Sequence, residues 1–267
     1  MSVLLRKWRA VFSIYFQDGL AYRASGLIWI LTDCVTALTM PLVWARSSSI
    51  GGGIGGYNLG GIVLYYLVML MVGSFVTSHM MWEAAMEIKD GAFSAQLIRP
   101  IGYLQFMFLR NLSWRIIRFS LFLPFALLFI FAYRGYLSDI HLNLGWEFWA
   151  SLVLGHLVSF FFVMMMAMLA LFVQEAMAIF ELYYIPMLFL SGQIFPVDVL
   201  PTWAAKVSRL LPFYYTTGAP SEIAVGRLTG PAIQQSLLFQ AGYVVATYLV
   251  GRWLWKKGLP YYTGVGM

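Results

Sequence analysis

The chain has 267 residues, of which 61% are apolar and only 10% charged, and its mean hydropathy is +0.78. Soluble domains carry about 25% charge, so a soluble enzyme is excluded, and no polar stretch is long enough to form a separate soluble core. The net charge of +6 comes from Lys and Arg scattered between apolar runs rather than gathered on one face, which excludes a nucleic-acid-binding surface and points to membrane orientation.

A single integral membrane domain over 1–267 is expected, all α-helical. Leu4, Trp8, Val11 or Phe12, and Tyr15 recur at helical spacing opposite Arg6, Arg9, Ser13 and Gln17. This pattern predicts an amphipathic helix over 1–20, lying in the interface with its basic face toward anionic headgroups. It is not a signal peptide, because Gln17 and Asp18 interrupt the apolar patch and no small-residue cleavage site follows. Six apolar runs then approach the roughly 20 residues that span a bilayer as a helix. They predict spans at about 21–45, 59–80, 112–133, 147–173, 177–195 and 232–255.

Cation placement orients these spans. Arg6, Lys7, Arg9, Arg23, Lys89, Arg99, Arg110, Arg115, Arg118, Arg252, Lys256 and Lys257 fall on one side. Arg46, Arg134, Lys206, Arg209 and Arg227 fall on the other. The positive-inside rule then places both termini and the 81–111 connector in the cytoplasm, with the 191–231 connector outside.

In the cytoplasmic connector, Glu83 and Glu87 lie one helical turn apart, and Asp90 is followed by Gly91, a helix stop. A second short amphipathic piece runs through Phe93, Leu97 and Ile98 and ends at Pro100, because proline disfavours helix in the residue before it. This predicts a short rigid element with acidic and apolar groups offered to a partner. A solvated loop with ordinary helix punctuation accounts for the pattern equally well. In the outer connector, Pro196, Pro201, Pro212 and Pro220 cut an apolar stretch into pieces too short to cross a bilayer. Those pieces are expected to lie in or against the membrane.

Other signals carry less. Gly51–Gly56 matches G-x-G-x-x-G, but no strand precedes it, so it is expected to be a flexible outer loop rather than a dinucleotide site. Asp33, near the middle of the first span, is costly there. It either lines a translocation path or is paired with Thr32, Thr36 or a partner group, or protonated. His79, His141 and His156 are too dispersed for a metal site, the lone Cys34 supports no disulfide or Cys-based site, and His156 is expected to pack against a backbone carbonyl. Met164, Met165, Met166 and Met168 give their span a soft surface of the kind that takes varied apolar ligands, but they face all round the helix, so most are expected to be ordinary lipid or packing contacts. Arg115 and Arg118 are expected to snorkel to headgroups, and Trp146, Trp149, Trp253 and Trp255 to mark interfaces. Glu175 and Glu181 flank a tight inner turn where solvation is the simpler role.

An IKDGAFSAQLIRPI block follows the second of six spans, and an SG-x-x-x-P-x-x-x-L-P-x-W block follows the fifth. Together with the span count and topology, these resemble permease subunits of bacterial type 2 ABC exporters. The closer likeness is to permeases of this length encoded beside a second permease and a separate ATPase. The resemblance implies that 83–100 is a coupling helix seated in a groove of the ATPase. Glu83 would lie at its start, Glu87, Lys89, Asp90 and Gly91 would form its turn, and Leu97, Arg99 and Pro100 would lead back to the membrane. It implies that 191–220 forms two short re-entrant helices closing the outer end of the path. Ser191, Gly192, Pro196, Leu200, Pro201 and Trp203 carry that match, with Pro212 and Phe213 marking the second piece. The N-terminal helix matches the family's interfacial elbow.

The chain has no G-x-x-x-x-G-K-[ST] stretch to cradle phosphates. ATP and Mg are therefore expected on a partner ATPase, in two copies, and the chain itself is expected to hold no cofactor or metal. Other expected partners are a second permease, identical or homologous, and membrane lipids. The expected site is the bacterial cytoplasmic (inner) membrane. The expected cargo is hydrophobic or amphipathic, such as a lipid, drug or glycolipid. A stand-alone secondary transporter or channel would need ion-binding groups or an internal repeat, and only Asp33 and Pro124 hint at either. A membrane-embedded lipid-modifying enzyme would need a catalytic cluster that does not appear.

Overall fold

The computed structural model describes residues 3–51, 55–137, 141–173 and 176–264, without the side chains of Asp33 and 45–51. Gly52, Gly53 and Ile54 of the glycine loop, Glu175 and the Asp33 side chain therefore lie outside the described residues. No β-strand occurs among the described residues. The helices are α1 (Val3–Ala21), α2 (Arg23–Gly51), α3 (Leu59–Val76), α4 (Met80–Lys89), α5 (Phe93–Leu97), α6 (Tyr103–Tyr133), α7 (Trp146–Ala167), α8 (Ala176–Leu190), α9 (Thr202–Leu210), α10 (Tyr214–Ala224) and α11 (Pro231–Gly258).

Four helical stretches among the described residues are long and apolar enough to cross a membrane: Arg23–Trp44, Leu59–Lys89, Tyr103–Tyr136 and Trp146–Leu171. The fifth expected span is shorter. α8 has 15 residues, about 22 Å of helix, because the chain turns at Ser191 and at Gly192, whose φ of +85° favours glycine. α11 is 28 residues long, but Gln234, Gln235, Gln240 and the cations from Arg252 onward dilute its apolar character. Packing contacts show that α2, α3, α6, α7, α8 and α11 alternate in direction. α7 and α11 run parallel: Gln240 meets Ser151, Gly251 meets Met165 and Gly258 meets Leu171. α3 runs the same way, from Tyr65 beside Gly192 to Ser78 beside Ser159. α6 opposes them, from Tyr103 stacked on Trp255 to Tyr133, whose hydroxyl donates to the Leu38 carbonyl of α2.

α1 packs along the first half of α6: the Ser113 hydroxyl donates to the Phe12 carbonyl, and Tyr15 meets Phe106 edge-on. Trp8, Val11, Phe12 and Tyr15 are partly buried while Arg6, Arg9, Ser13 and Gln17 are exposed, as the spacing predicts; Leu4 is instead exposed. The third helix begins at Tyr103 rather than near 112, capped by the extended Gly102. Its earlier start carries Arg115 and Arg118 into the bundle, where Arg115 is 1% exposed and Arg118 6%. The expectation that they snorkel to headgroups is overturned, since side chains so covered do not reach lipid phosphate. His156 behaves as expected: its Nδ1 lies 3.3 Å from the Val76 carbonyl oxygen.

Candidate functional site

Two connectors occupy opposite ends of the α3–α7–α11 group. α7 meets α10 at Gly155 and shares an apolar cluster with α4 from Phe160 to Ala167, which begins about 7 Å further along the helix axis.

At the 191–230 end, tyrosines of α3 hold the turn after α8. Tyr65 donates to the Gly192 carbonyl at 2.8 Å and Tyr66 to that of Ile194 at 2.7 Å. Trp44 of α2 donates to the Tyr66 hydroxyl at 3.0 Å. Ser191, Gly192 and Pro196 are buried, and Leu200 is partly so. Pro201 precedes the first turn of α9, where its missing N–H costs nothing. α9 is amphipathic, with Ala204 and Ser208 inward and Trp203 (71% exposed), Val207 and Leu210 (72%) forming an outward apolar stripe. Pro212 and Phe213 start α10, every residue of which is buried. Close approach explains the glycines here: a Cβ on Gly218 would stand 2.8 Å from the Ser191 carbonyl oxygen. Gln240 of α11 donates to the carbonyls of Tyr215 (2.8 Å) and Ser151 (3.0 Å), tying α10, α7 and α11 together.

The connector also carries an ionic cluster. Glu222, 1% exposed, accepts from the Tyr214 hydroxyl at 2.6 Å. Burial, with Asp198 adding to it, pushes the Glu222 carboxyl up to about 7, while the Tyr214 hydrogen bond, Arg209 and Arg227 oppose the rise. Asp198 pairs with Arg209 (2.6 Å) and Arg227 (3.2 Å). Arg227 donates to the Gly55 carbonyl at 2.7 Å and lies 4.4 Å above the Tyr57 ring. It thereby clasps the connector to the described part of the α2–α3 loop. Sequence reasoning missed Glu222, Arg227 and Gln240. No clear signal was available, because Glu222 lies among Thr, Ser and Pro residues and Gln240 follows Gln234, Gln235 and Ser236.

At the other end, Gly91 takes φ +77° and stops α4, and α5 follows. α4 does not protrude. Met80, Met81, Ala84, Ala85 and Ile88 are buried beside α7 and α8. Glu83 and Glu87, expected to face a partner, both pair with Arg110 of α6 at 2.7 and 2.8 Å, and Tyr103 donates to Glu87 at 3.0 Å. Phe93 is buried edge-on against Tyr103, Trp255 and Tyr262. The surface left open includes Glu83, Met86, Lys89, Asp90, Ala92, Ala95, Leu97, Ile98 (86% exposed), Arg99 and Pro100.

Between the two ends runs a cavity of about 250 Å³, lined from His79 and Tyr184 to Gln193 and Ile194. Thr32 and Thr36, on either side of Asp33, also line it. Among the described residues no group of His, Cys, Asp and Glu could hold a metal ion.

The geometry is that of a helical membrane protein with one clamped connector at each end. A search of curated proteins finds no match. The family model described as "ABC-2 family transporter protein" matches residues 33–266, which include both connectors, and the chain belongs to that family.

Proposed function

We propose that the chain is the membrane-spanning subunit of an ATP-driven exporter that moves a hydrophobic or amphipathic cargo, such as a lipid, drug or glycolipid, out of the cytoplasm or inner leaflet. Membership of the ABC-2 transporter family, which points to a transport subunit associated with an ATPase, carries this reading. The alternating directions of α2, α3, α6, α7, α8 and α11 support six spans in a single domain, α8 being completed by the buried turn at Ser191–Gly192. The cation bias supports both termini in the cytoplasm of a bacterial inner-membrane protein. α5 and the exposed edge Lys89–Pro100 then form the coupling surface for the ATPase, which binds ATP and Mg. Glu83 and Glu87 brace that surface through Arg110, and Glu83 remains exposed at its edge. The 191–220 connector closes the outer end, with α9 laying Trp203, Val207 and Leu210 into lipid and α10 packed inside. A second permease, identical or homologous, completes the path, and the cavity beside Asp33 lies along it.

The test is reconstitution with the ATPase, comparing wild type with a chain carrying Asp90→Ala and Gly91→Val. Gly91 needs φ > 0, which valine resists, so the turn is lost while the buried face of α4 is kept. ATP hydrolysis is expected to continue with transport lost. Survival of both co-purification and transport would overturn the assignment.

A further inference from the structure

Beside the inner clamp, whose Tyr103 and Trp255 line it, a cavity of about 390 Å³ lies where the start of α6 meets the last turns of α7 and α11, within the roughly 300–1,000 Å³ of small-molecule sites. Its walls are Phe161, Met164 and Met165 of α7, Met168 just after it, and Tyr248 of α11, and methionines adapt to a flexible chain. Its rim carries Arg252 and Lys256, one helical turn apart and both exposed. Among the described residues neither cation forms an ion pair or side-chain hydrogen bond. A second hollow of about 430 Å³ shares Gly102, Tyr103, Gln105 and Trp255 with the first and adds Arg99 and Pro100. No acidic residue lines either.

An apolar slot with two cations at its mouth, a third on the adjoining hollow and no counter-charge complements one molecule type in a bilayer, an anionic amphiphile. We propose that this groove binds one anionic glycerophospholipid of the cytoplasmic leaflet. An acyl chain lies among the α7 methionines, and the phosphate sits on Arg252 and Lys256 with Arg99 at its edge. The leaflet follows from the orientation proposed above; the binding does not. The lipid is a resident of the subunit rather than its cargo, because the groove is separate from the cavity beside Asp33. It touches Arg99 and Pro100, and so bears on the segment that leads out of α5.

The test is native mass spectrometry of the full chain in detergent, titrated with phosphatidylglycerol or with phosphatidylcholine of the same acyl chains. Wild type is expected to retain one phosphatidylglycerol at least about tenfold more tightly than phosphatidylcholine, since each cation near an anionic headgroup contributes about fivefold. Arg252→Gln with Lys256→Gln is expected to remove that preference and leave phosphatidylcholine binding unchanged. Lys257→Gln, an exposed cation outside the groove, should leave both unchanged. Gly102→Trp should weaken both lipids, because a Cβ there meets nothing within 4 Å and the ring can fill the slot. Equal binding of the two lipids by wild type would overturn the proposal. So would a K257Q effect as large as that of the paired R252Q and K256Q changes, or a dimer that G102W dissociates and that excludes lipid. No ATPase or transport is needed, so failure here leaves the transport reading intact, and the reverse also holds.

Discussion

Gly155→Ala tests how tightly the outer connector is fixed. The added methyl would fall inside contact distance of the Thr216 carbonyl oxygen and 3.3 Å from that of Tyr215. Both obstacles are backbone on the buried α10, so neither can rotate away, and α7 and α10 must separate by about 1 Å to restore van der Waals contact. Overpacking of this kind costs about 1–3 kcal/mol. The same displacement stretches the Gln240 bonds to Ser151 and Tyr215, now 3.0 and 2.8 Å, and a buried hydrogen bond left unmade costs about 1–3 kcal/mol. The total, roughly 2–6 kcal/mol, corresponds to a melting temperature lower by roughly 4–24 °C in a chain of this size. Thermal unfolding in detergent reads it directly. A double-mutant cycle with Gln240→Leu sharpens the attribution, because Q240L must cost less in the G155A background if the alanine has already broken those bonds. A melting temperature within the error of wild type, or full additivity of the two changes, would refute the close α7–α10 approach.

Two further outcomes follow from the charged groups. Glu222 is raised above its ordinary 4.5 to about 7, so the folded chain holds its proton more tightly than the unfolded chain. Its stability contribution is full below about pH 4.5 and is lost as pH rises through about 7, by at most about 3 kcal/mol. Asp198, Tyr214, Arg209 and Arg227 face the same carboxyl, and Glu222→Gln is expected to flatten the melting temperature between pH 5 and 8; an unchanged profile would rule this carboxyl out as its source. Arg110→Gln removes the one cation shown bridging Glu83 and Glu87 and should destabilise the chain by about 2 kcal/mol. Adding Glu87→Gln should restore part of that loss in thermal melts, and a single variant as stable as wild type would show that α4 needs no such brace.

Sequence carries a good deal of this architecture, and its gaps have physical causes. Gly91 is legible as a break, since it ends a helical pattern and takes positive φ, whereas Gly192 is not, because the apolar run continues past it to 195. Pro201 and Pro212 mark the starts of α9 and α10, because proline suits a helix start, whereas Pro220, expected to cut the stretch, lies inside α10. The burial of α4 is not legible. Glu83 and Glu87 look like solvated groups until Arg110, more than twenty residues later, is brought onto them by the fold. Arg115 and Arg118 mislead for a related reason. Hydropathy starts the third span at the first sustained apolar run, whereas the helix itself starts at Gly102 and Tyr103, two turns before Arg110. Glu222 hides among Thr, Ser and Pro residues, and only its contact with Tyr214, eight positions earlier, shows that it is enclosed.

The interruption between α3 and α4 shows how side chains can set a break that sequence does not announce. Residues 77–79 are Thr, Ser and His, with neither glycine nor proline, yet the helix stops at Val76 and resumes at Met80. A stop inside an apolar bundle frees backbone groups that lipid cannot satisfy, and here α7 supplies the partners. The Ser78 amide donates to the Ser159 hydroxyl at 2.9 Å. The Val76 carbonyl faces His156 Nδ1, and since a carbonyl can only accept, that nitrogen must carry the proton. The unprotonated Nε2 is then left as acceptor for the Asn111 amide at 3.4 Å. The Ser78 hydroxyl closes the set on Asn111 Oδ1 at 3.2 Å. Polar residues from α6 and α7 therefore hold the break open in one geometry. α7 thus supports the break that joins α3 to α4, packs against α4 beyond it, and meets α10 at Gly155. A rigid shift of α7 would change the contacts of both connectors together, because packed helices move between discrete arrangements rather than bending gradually.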